Sequence, residues 1–497
     1  MFVVAEKSRY DLFETPRYER SLDYLFFNGK AMPKDERLML KTAAAALQDP
    51  CRILERKQDG VVSLMRGGSS AIISPTHEAY QNLVAPQYKT GFVSVFQDRY
   101  VPDLLKPSNG RSNGICAGWI ATACELSSLQ GSGGERQDQD ISTAGLRHYS
   151  KALSRLRTEL QDGPLALGQF QRDVTLVTCL ACATYEMIAH QSFDSLVRHL
   201  QGIRALFTAW GVGNLNSTTS RRVFYEYRLI EMTVSLATRR ASFLSLPQWL
   251  NPPWKSHDLQ SSNPLQTLID SAIHLPALVE NWDTTQLSVQ LAGIDNKIDI
   301  QVVKDFVHDA LAIQRAINDW EADLRGRDNK SQLYIAHLAD SQHSSEASSP
   351  WIFFYKFPNF EIAAALMYYE TIHIFLYQFI TEMIISTQTT NAFDSKYSST
   401  PLQNFDIHDI TAKSLECADR ICQSLEYFFQ RDMRMIGRIV ILSPFEAVRS
   451  LFARLHQIGT GDVFQDIALA EKIRFCDMIA ERIRAEGLLI WNGPGAT

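Results

Sequence analysis

The stretch from Ser142 to Trp210 constrains the fold more than any other, because three consecutive segments carry helical periodicity. In STAGLRHYSKALSRLRTEL, the residues Leu146, Tyr149, Leu153, Leu156 and Leu160 recur at alternating steps of three and four. That spacing puts all five on one helix face and leaves Arg147, Lys151, Arg155 and Arg157 off it. Ser142 stands where an N-cap is expected, and Asp162-Gly163-Pro164 stops the pattern. The nearly all-apolar VTLVTCLACATYEMI, Val174 to Ile188, predicts a helix buried on most sides. Ser192 then opens a third helix that turns Phe193, Leu196, Leu200, Ile203 and Phe207 inward. A buried helix between two amphipathic ones seeds an all-α core. The expected fold is all-α, a large irregular multi-helix bundle of packed antiparallel helices. Such patterning carries no chemistry by itself.

The rest of the chain agrees with that class. Thr15-Pro16 starts a short helix, Lys34 to Leu47 forms another, and Val61–Met65 with Ala71–Ile73 read as short strands or an irregular loop. Lys106-Pro107-Ser108-Asn109-Gly110 breaks the chain before the small-residue helix Ile115–Leu129. Gly131 to Asp138 is the most linker-like piece. Helices are expected over Val223–Leu236, Leu265–Val279, Val302–Leu324 and Ile410–Phe429. Ser341–Pro350 and Thr387–Phe405 read as polar excursions. Ser443-Pro444-Phe445-Glu446 has the form of a capping box with proline at N1, and predicts a fresh helix start. Gly459 to Asp462 turns into a final helix that ends near Gly487.

Three blocks, LRHYSKALSRLRTEL, DVTLVTCLACATYEMI and FDSLVRHLQGIRALF, together resemble the central signature of the fungal-specific transcription factor domain. PLQTLIDSAIHLPALVENWD, FPNFEIAAALMYYETIHIFLYQ and CADRICQSLEYFFQRDMRMIGRIVILSPFEAVRSLF follow in that family's order. The resemblance runs from about Phe92 to near the C-terminus. It divides the chain into residues 1–90, short helices and loops, and residues 91–497, an all-helical regulatory domain. It implies transcriptional regulation in the nucleus, with the cytoplasm as alternative, often of a metabolic or secondary-metabolite gene cluster. Implied partners are other transcription regulators or a DNA-binding protein, a small-molecule effector, and a second copy in a homodimer.

Composition sets bounds on this reading. The 49 Lys plus Arg against 55 Asp plus Glu give a formal charge of −6, which argues against a chain built mainly to grip phosphate backbones. Met1 to Ala5 is too short an apolar run for a signal peptide before Glu6, Lys7 and Arg9. Ile362 to Ile385 is the strongest membrane candidate. Glu370, His373, Gln378 and Glu382 make it a buried soluble helix instead. With neither signal nor span, the eight cysteines are expected to be reduced thiols.

The resemblance also implies six N-terminal cysteines around two zinc ions, and they are not in this sequence. Its cysteines are Cys51, Cys116, Cys124, Cys179, Cys182, Cys417, Cys422 and Cys476. Only Cys179 and Cys182 have CxxC spacing, and they lie inside the apolar helix, where a thiol behaves as a small core hydrophobe. No direct nucleic-acid contact is therefore expected. Gly110-Arg111-Ser112-Asn113-Gly114 matches GxSxG, but LLKPSN before it is no central strand, so Ser112 is not read as a nucleophile. Glu370 and His373 form an ExxH pair at the spacing used in di-iron bundles. No second ExxH exists, and the pair reads as buried polar groups satisfied by Tyr368, Tyr369 or Tyr377. Arg221-Arg222 and Arg239-Arg240 read as solvated helix ends.

No catalytic, metal-binding or DNA-binding residue is assigned from sequence, and no cofactor. Glu370 and His373 are the only candidate ligand contacts. The alternatives are an α-helical enzyme or small-molecule binder with a pocket in the bundle, and a non-catalytic scaffold.

Overall fold

The computed structural model describes residues 135–161, 163–186, 193–255, 263–292, 298–327, 333–338, 350–391, 406–430, 433–458, 463–485 and 488. The readings made for residues 1–130 lie outside the described residues, among them the Gly110–Gly114 motif and Cys51, Cys116 and Cys124. So do nearly all of the Ser341–Pro350 excursion and the Gly459–Asp462 turn.

The helices are α1 (Glu135–Glu159), α2 (Gln169–Tyr185), α3 (Phe193–Trp210), α4 (Thr218–Thr238), α5 (Pro247–Leu250), α6 (Pro264–Ala272), α7 (Leu275–Ala292) and α8 (Ile300–Arg327). After the strands β1 (Ile335–Leu338) and β2 (Phe353–Lys356) come α9 (Phe360–Asn391), α10 (Ile407–Phe428), α11 (Arg434–Ile458) and α12 (Val463–Ala485). The fold is all-α, with one minor antiparallel strand pair among the described residues. Two compact units divide the chain: residues up to Val223 with those from Ile483 onward, and Phe224–Arg482.

In the first unit α2 packs against both α1 and α3. From Asp173 to Ala183 every residue of α2 is buried, as its apolar composition requires. Tyr149, Leu153, Leu156 and Leu160 of α1 and Leu196, Leu200, Ile203 and Phe207 of α3 are buried too. Leu146, on the same stripe of α1, is only half-buried. Gly163 (φ 88°) and Gly211 (φ 70°) make the turns that follow α1 and α3, in backbone conformations costly for any side chain with a Cβ.

In the second unit α9 is the axis, packed against α6, α8, α10 and α11. Its apolar residues lie all around the helix: Ala363, Met367, Ile372, Ile374, Leu376, Phe379, Ile380 and Met383 are all buried. A helix hydrophobic on every side belongs in the centre of a core. No helix among the described residues is long and apolar enough to cross a membrane.

The structure differs from several sequence expectations. Helix α1 begins at Glu135, not at a Ser142 cap, because no glycine or proline separates the two and the intervening residues tolerate helix. The segment Leu265–Val279 is two helices broken at Ile273-His274. Pro276 lacks the N–H that would bond the Ala272 carbonyl and would clash with it, so α7 starts anew with Pro276 in its first turn. The expected start at Ser443-Pro444 is not a start, because α11 runs straight through Pro444. The carbonyl orphaned there belongs to Val440, four residues back, and the Tyr368 hydroxyl of α9 donates to it at 3.1 Å. Glu446, expected to close a capping box, instead pairs with Arg449 at 3.0 Å. The β1–β2 pair was not anticipated; four-residue strands show too little alternation to be read.

Candidate functional site

Glu370 and His373 lie on the buried central stretch of α9, and three layers of the second unit meet around them. Helix α8 supplies Gln314, Asn318, Trp320 and Glu321, helix α10 supplies Glu416, Cys417 and Arg420, and Tyr334 and Tyr355 come from the strand pair and its approach. The two candidates serve different neighbours.

His373 works toward α8. Its Nδ1 lies 3.0 Å from the Tyr369 carbonyl oxygen one turn back, and its Nε2 lies 3.1 Å from the Asn318 side-chain amide. Burial pulls its pKa down to about 4, outweighing the Tyr369 contact, and nearby Arg420 pushes the same way. The ring is therefore neutral at physiological pH. Nδ1–H donates to Tyr369 and Nε2 is a bare acceptor, so the Asn318 amide, placed with Oδ1 toward Nε2, must turn its NH2 edge to complete the bond. The Tyr369 hydroxyl lies 3.4 Å from the same Asn318 Oδ1 position and donates to it in the amide orientation as placed.

Glu370 works toward α10. Its Oε1 lies 3.4 Å from Arg420 Nε, and the Cys417 thiol adds a weak hydrogen bond to the carboxyl. Oε2 is buried, with no N–H or O–H partner among the described residues. Burial pushes the carboxyl up to about 7; Arg420 and Cys417 pull against that, while Glu321 and Glu416 add to it. The same burial raises the Cys417 thiol and lifts Tyr377 to about 12.

The tyrosines were expected to satisfy the pair through their hydroxyls, and their actual roles differ. Tyr368 donates to Val440, Tyr377 accepts from Gln314 at 3.3 Å, and Tyr369 serves His373 mainly through its backbone carbonyl. No group of three or more His, Cys, Asp or Glu side chains poised to hold a metal exists among the described residues. Cys179, Cys182, Cys417, Cys422 and Cys476 are all buried free thiols. Arg239, read as a solvated helix end, is instead clamped by Asp283 at 2.8 and 2.5 Å and by Glu382 at 3.1 Å. Arg240 pairs with Glu280 at 2.9 Å.

The first unit holds a polar constellation that sequence reasoning missed. Tyr149 of α1 donates to Glu186 Oε1 at 2.6 Å and lies 2.7 Å from His199 Nε2 of α3. A phenol has one proton, so if Glu186 receives it, Nε2 must carry hydrogen and donate to the tyrosine oxygen. All three residues are 0–3% exposed, and Tyr149 also stacks on Tyr185 with ring centroids 4.3 Å apart. The Tyr149 hydroxyl ties the other two together at short distance, which suits a structural lock between helices better than a substrate site. The one available signal was the tyrosine on the apolar stripe of α1, where the core needs a leucine-like shape.

Comparison with known proteins adds a family. The family model described as the fungal specific transcription factor domain matches residues 92–427. No curated protein and no solved structure matches the chain.

Proposed function

From the premise that the chain belongs to the fungal-specific transcription factor domain family, we propose that it is a nuclear regulator of transcription. It reaches DNA through a partner, another transcription regulator or a DNA-binding protein, and it controls a metabolic or secondary-metabolite gene cluster. The observation that carries this reading is the family match over about two-thirds of the chain. The net charge of −6 supports the partner-dependent part, because it argues against a surface built mainly to grip phosphate backbones. We place the effector-responsive part of the domain at the polar belt around Glu370 and His373, where buried polar groups interrupt the otherwise apolar axial helix.

The test is to measure binding of the purified chain to promoter and random-sequence DNA at low salt, with zinc assayed in the same sample. The expected result is no salt-sensitive binding and no zinc. Salt-sensitive binding by the chain alone overturns the partner-dependent reading. Transcript profiling of a strain lacking the gene checks the rest: a co-regulated gene set should shift, and an unchanged profile removes the regulatory reading.

A further inference from the structure

The Arg420 guanidinium sits between two carboxylates of opposite character. On one side is Glu370, buried in α9; on the other is Glu416, one turn back on α10, whose side chain is 68% exposed. Nε of Arg420 lies 3.4 Å from Glu370 Oε1 and donates at 3.4 Å to the Glu416 backbone carbonyl, while Nη2 lies 3.3 Å from Glu416 Oε2. Neither contact is short, and the arginine side chain is itself 38% exposed. Both distances are long for charge-assisted bonds, so the cation is shared between the two seats rather than committed to one.

We propose that Glu370 and Arg420 form a proton-operated latch between α9 and α10. With Glu370 ionised, Arg420 is drawn inward onto α9. With Glu370 protonated, the attraction lapses and the guanidinium moves to Glu416 and solvent.

The surroundings favour this toggle. Facing Glu370 are Glu321 from α8, and Glu416, Cys417 and Arg420 from α10. Tyr355 comes from β2 and α9 itself adds Tyr369 and Tyr377, while Tyr334, just before β1, acts on Arg420. His373 is close enough to feel Arg420, but it is neutral above about pH 4 and contributes no charge near neutrality. Glu321 is already paired with Arg325. That leaves Arg420 as the one cation acting on Glu370 among these neighbours, and its seat depends on a single carboxyl poised near neutral pH. The latch concerns a contact inside the second unit and holds whichever DNA partner or effector the protein uses.

The experiment labels arginines of the intact chain with a dicarbonyl reagent from pH 6 to 8 and quantifies them by mass spectrometry. Exposed Arg315 on α8 is the internal reference. The Arg420 to Arg315 ratio should be several-fold higher at pH 6 than at pH 8, with a midpoint near 7. In Glu370→Gln it should stay high throughout. Glu416→Gln alters an exposed residue and leaves the core intact, so it tests the latch even where the first variant folds poorly. It removes a like charge from Glu370 and a rival seat for Arg420, so the midpoint should shift downward. A ratio that does not change with pH in the unaltered chain overturns the latch. So does a response retained in Glu370→Gln, or a midpoint unmoved or raised in Glu416→Gln.

Discussion

The two units each bury a glutamate, a histidine and tyrosine hydroxyls, yet they treat them in opposite ways. In the first, Tyr149, Glu186 and His199 come from two helices and the end of α2, and meet at 2.6 and 2.7 Å, in contacts that only a fixed core could maintain. In the second, Glu370 and His373 share one helix but not a partner. One contact of Glu370 is stretched to 3.4 Å, and one of its oxygens lacks an N–H or O–H donor. Short contacts between buried polar groups specify a single packing, while a buried carboxyl held only by a stretched contact stores free energy that protonation can release. The first cluster is thus built to hold, and the second to respond.

The sharpest way to break the comparison is Tyr149→Phe. One hydroxyl serves both Glu186 and His199, so removing it takes a short hydrogen bond from each in a fully buried site. The expected loss is about 3 kcal/mol, read as a lower urea midpoint with an unchanged slope. A loss below about 1 kcal/mol would show that the cluster relaxes freely and is no more rigid than the second.

Glu370→Gln should do the reverse. Its folded pKa of about 7 lies above the ordinary value of 4.5. The folded state therefore binds more protons than the unfolded state between those values, and this group's contribution to stability falls as pH rises through 7. Above pH 7 the ionised form destabilises the fold by about 2 kcal/mol once partial exposure is allowed for. The glutamine variant should be more stable than the parent by about that amount at pH 8, and the gap should close by pH 5. Urea titrations at both values check this. A glutamine variant less stable than the parent at pH 8 would place Glu370 with the first kind of cluster.

The sequence allowed the helices to be read because they are long and their apolar residues recur at helical spacing. The polar clusters were half-legible. Glu370 and His373 stood out because charged groups on an apolar run are conspicuous. The partners that decide their chemistry, Asn318 and Arg420, lie about fifty residues away on either side and carry no local signal. Tyr149, Glu186 and His199 were hidden for the opposite reason. Each fits its helix as an apolar-sized residue, and only the packing of α1 on α2 and α3 brings them together. Proline shows the same limit on a smaller scale. Pro276 and Pro444 look alike in sequence, and only the first ends a helix.

That last difference yields the smallest effect and a clean test. In α11 the carbonyl of Val440 loses its helical donor to Pro444 and regains one from Tyr368 across the core. Tyr368→Phe should cost about 1 kcal/mol, because the half-buried carbonyl is left without either. In a Pro444→Ala background the residue at 444 supplies its own N–H, and the same tyrosine change should cost little. A double-mutant cycle therefore separates the two explanations for the continuous helix. If the coupling is close to zero, Tyr368 is a packing residue whose hydroxyl happens to point at Val440, and other packing on α11 carries the helix past its proline. If it approaches the full single-mutant loss, a hydroxyl on the axial helix is what allows α11 to continue where α6 had to end.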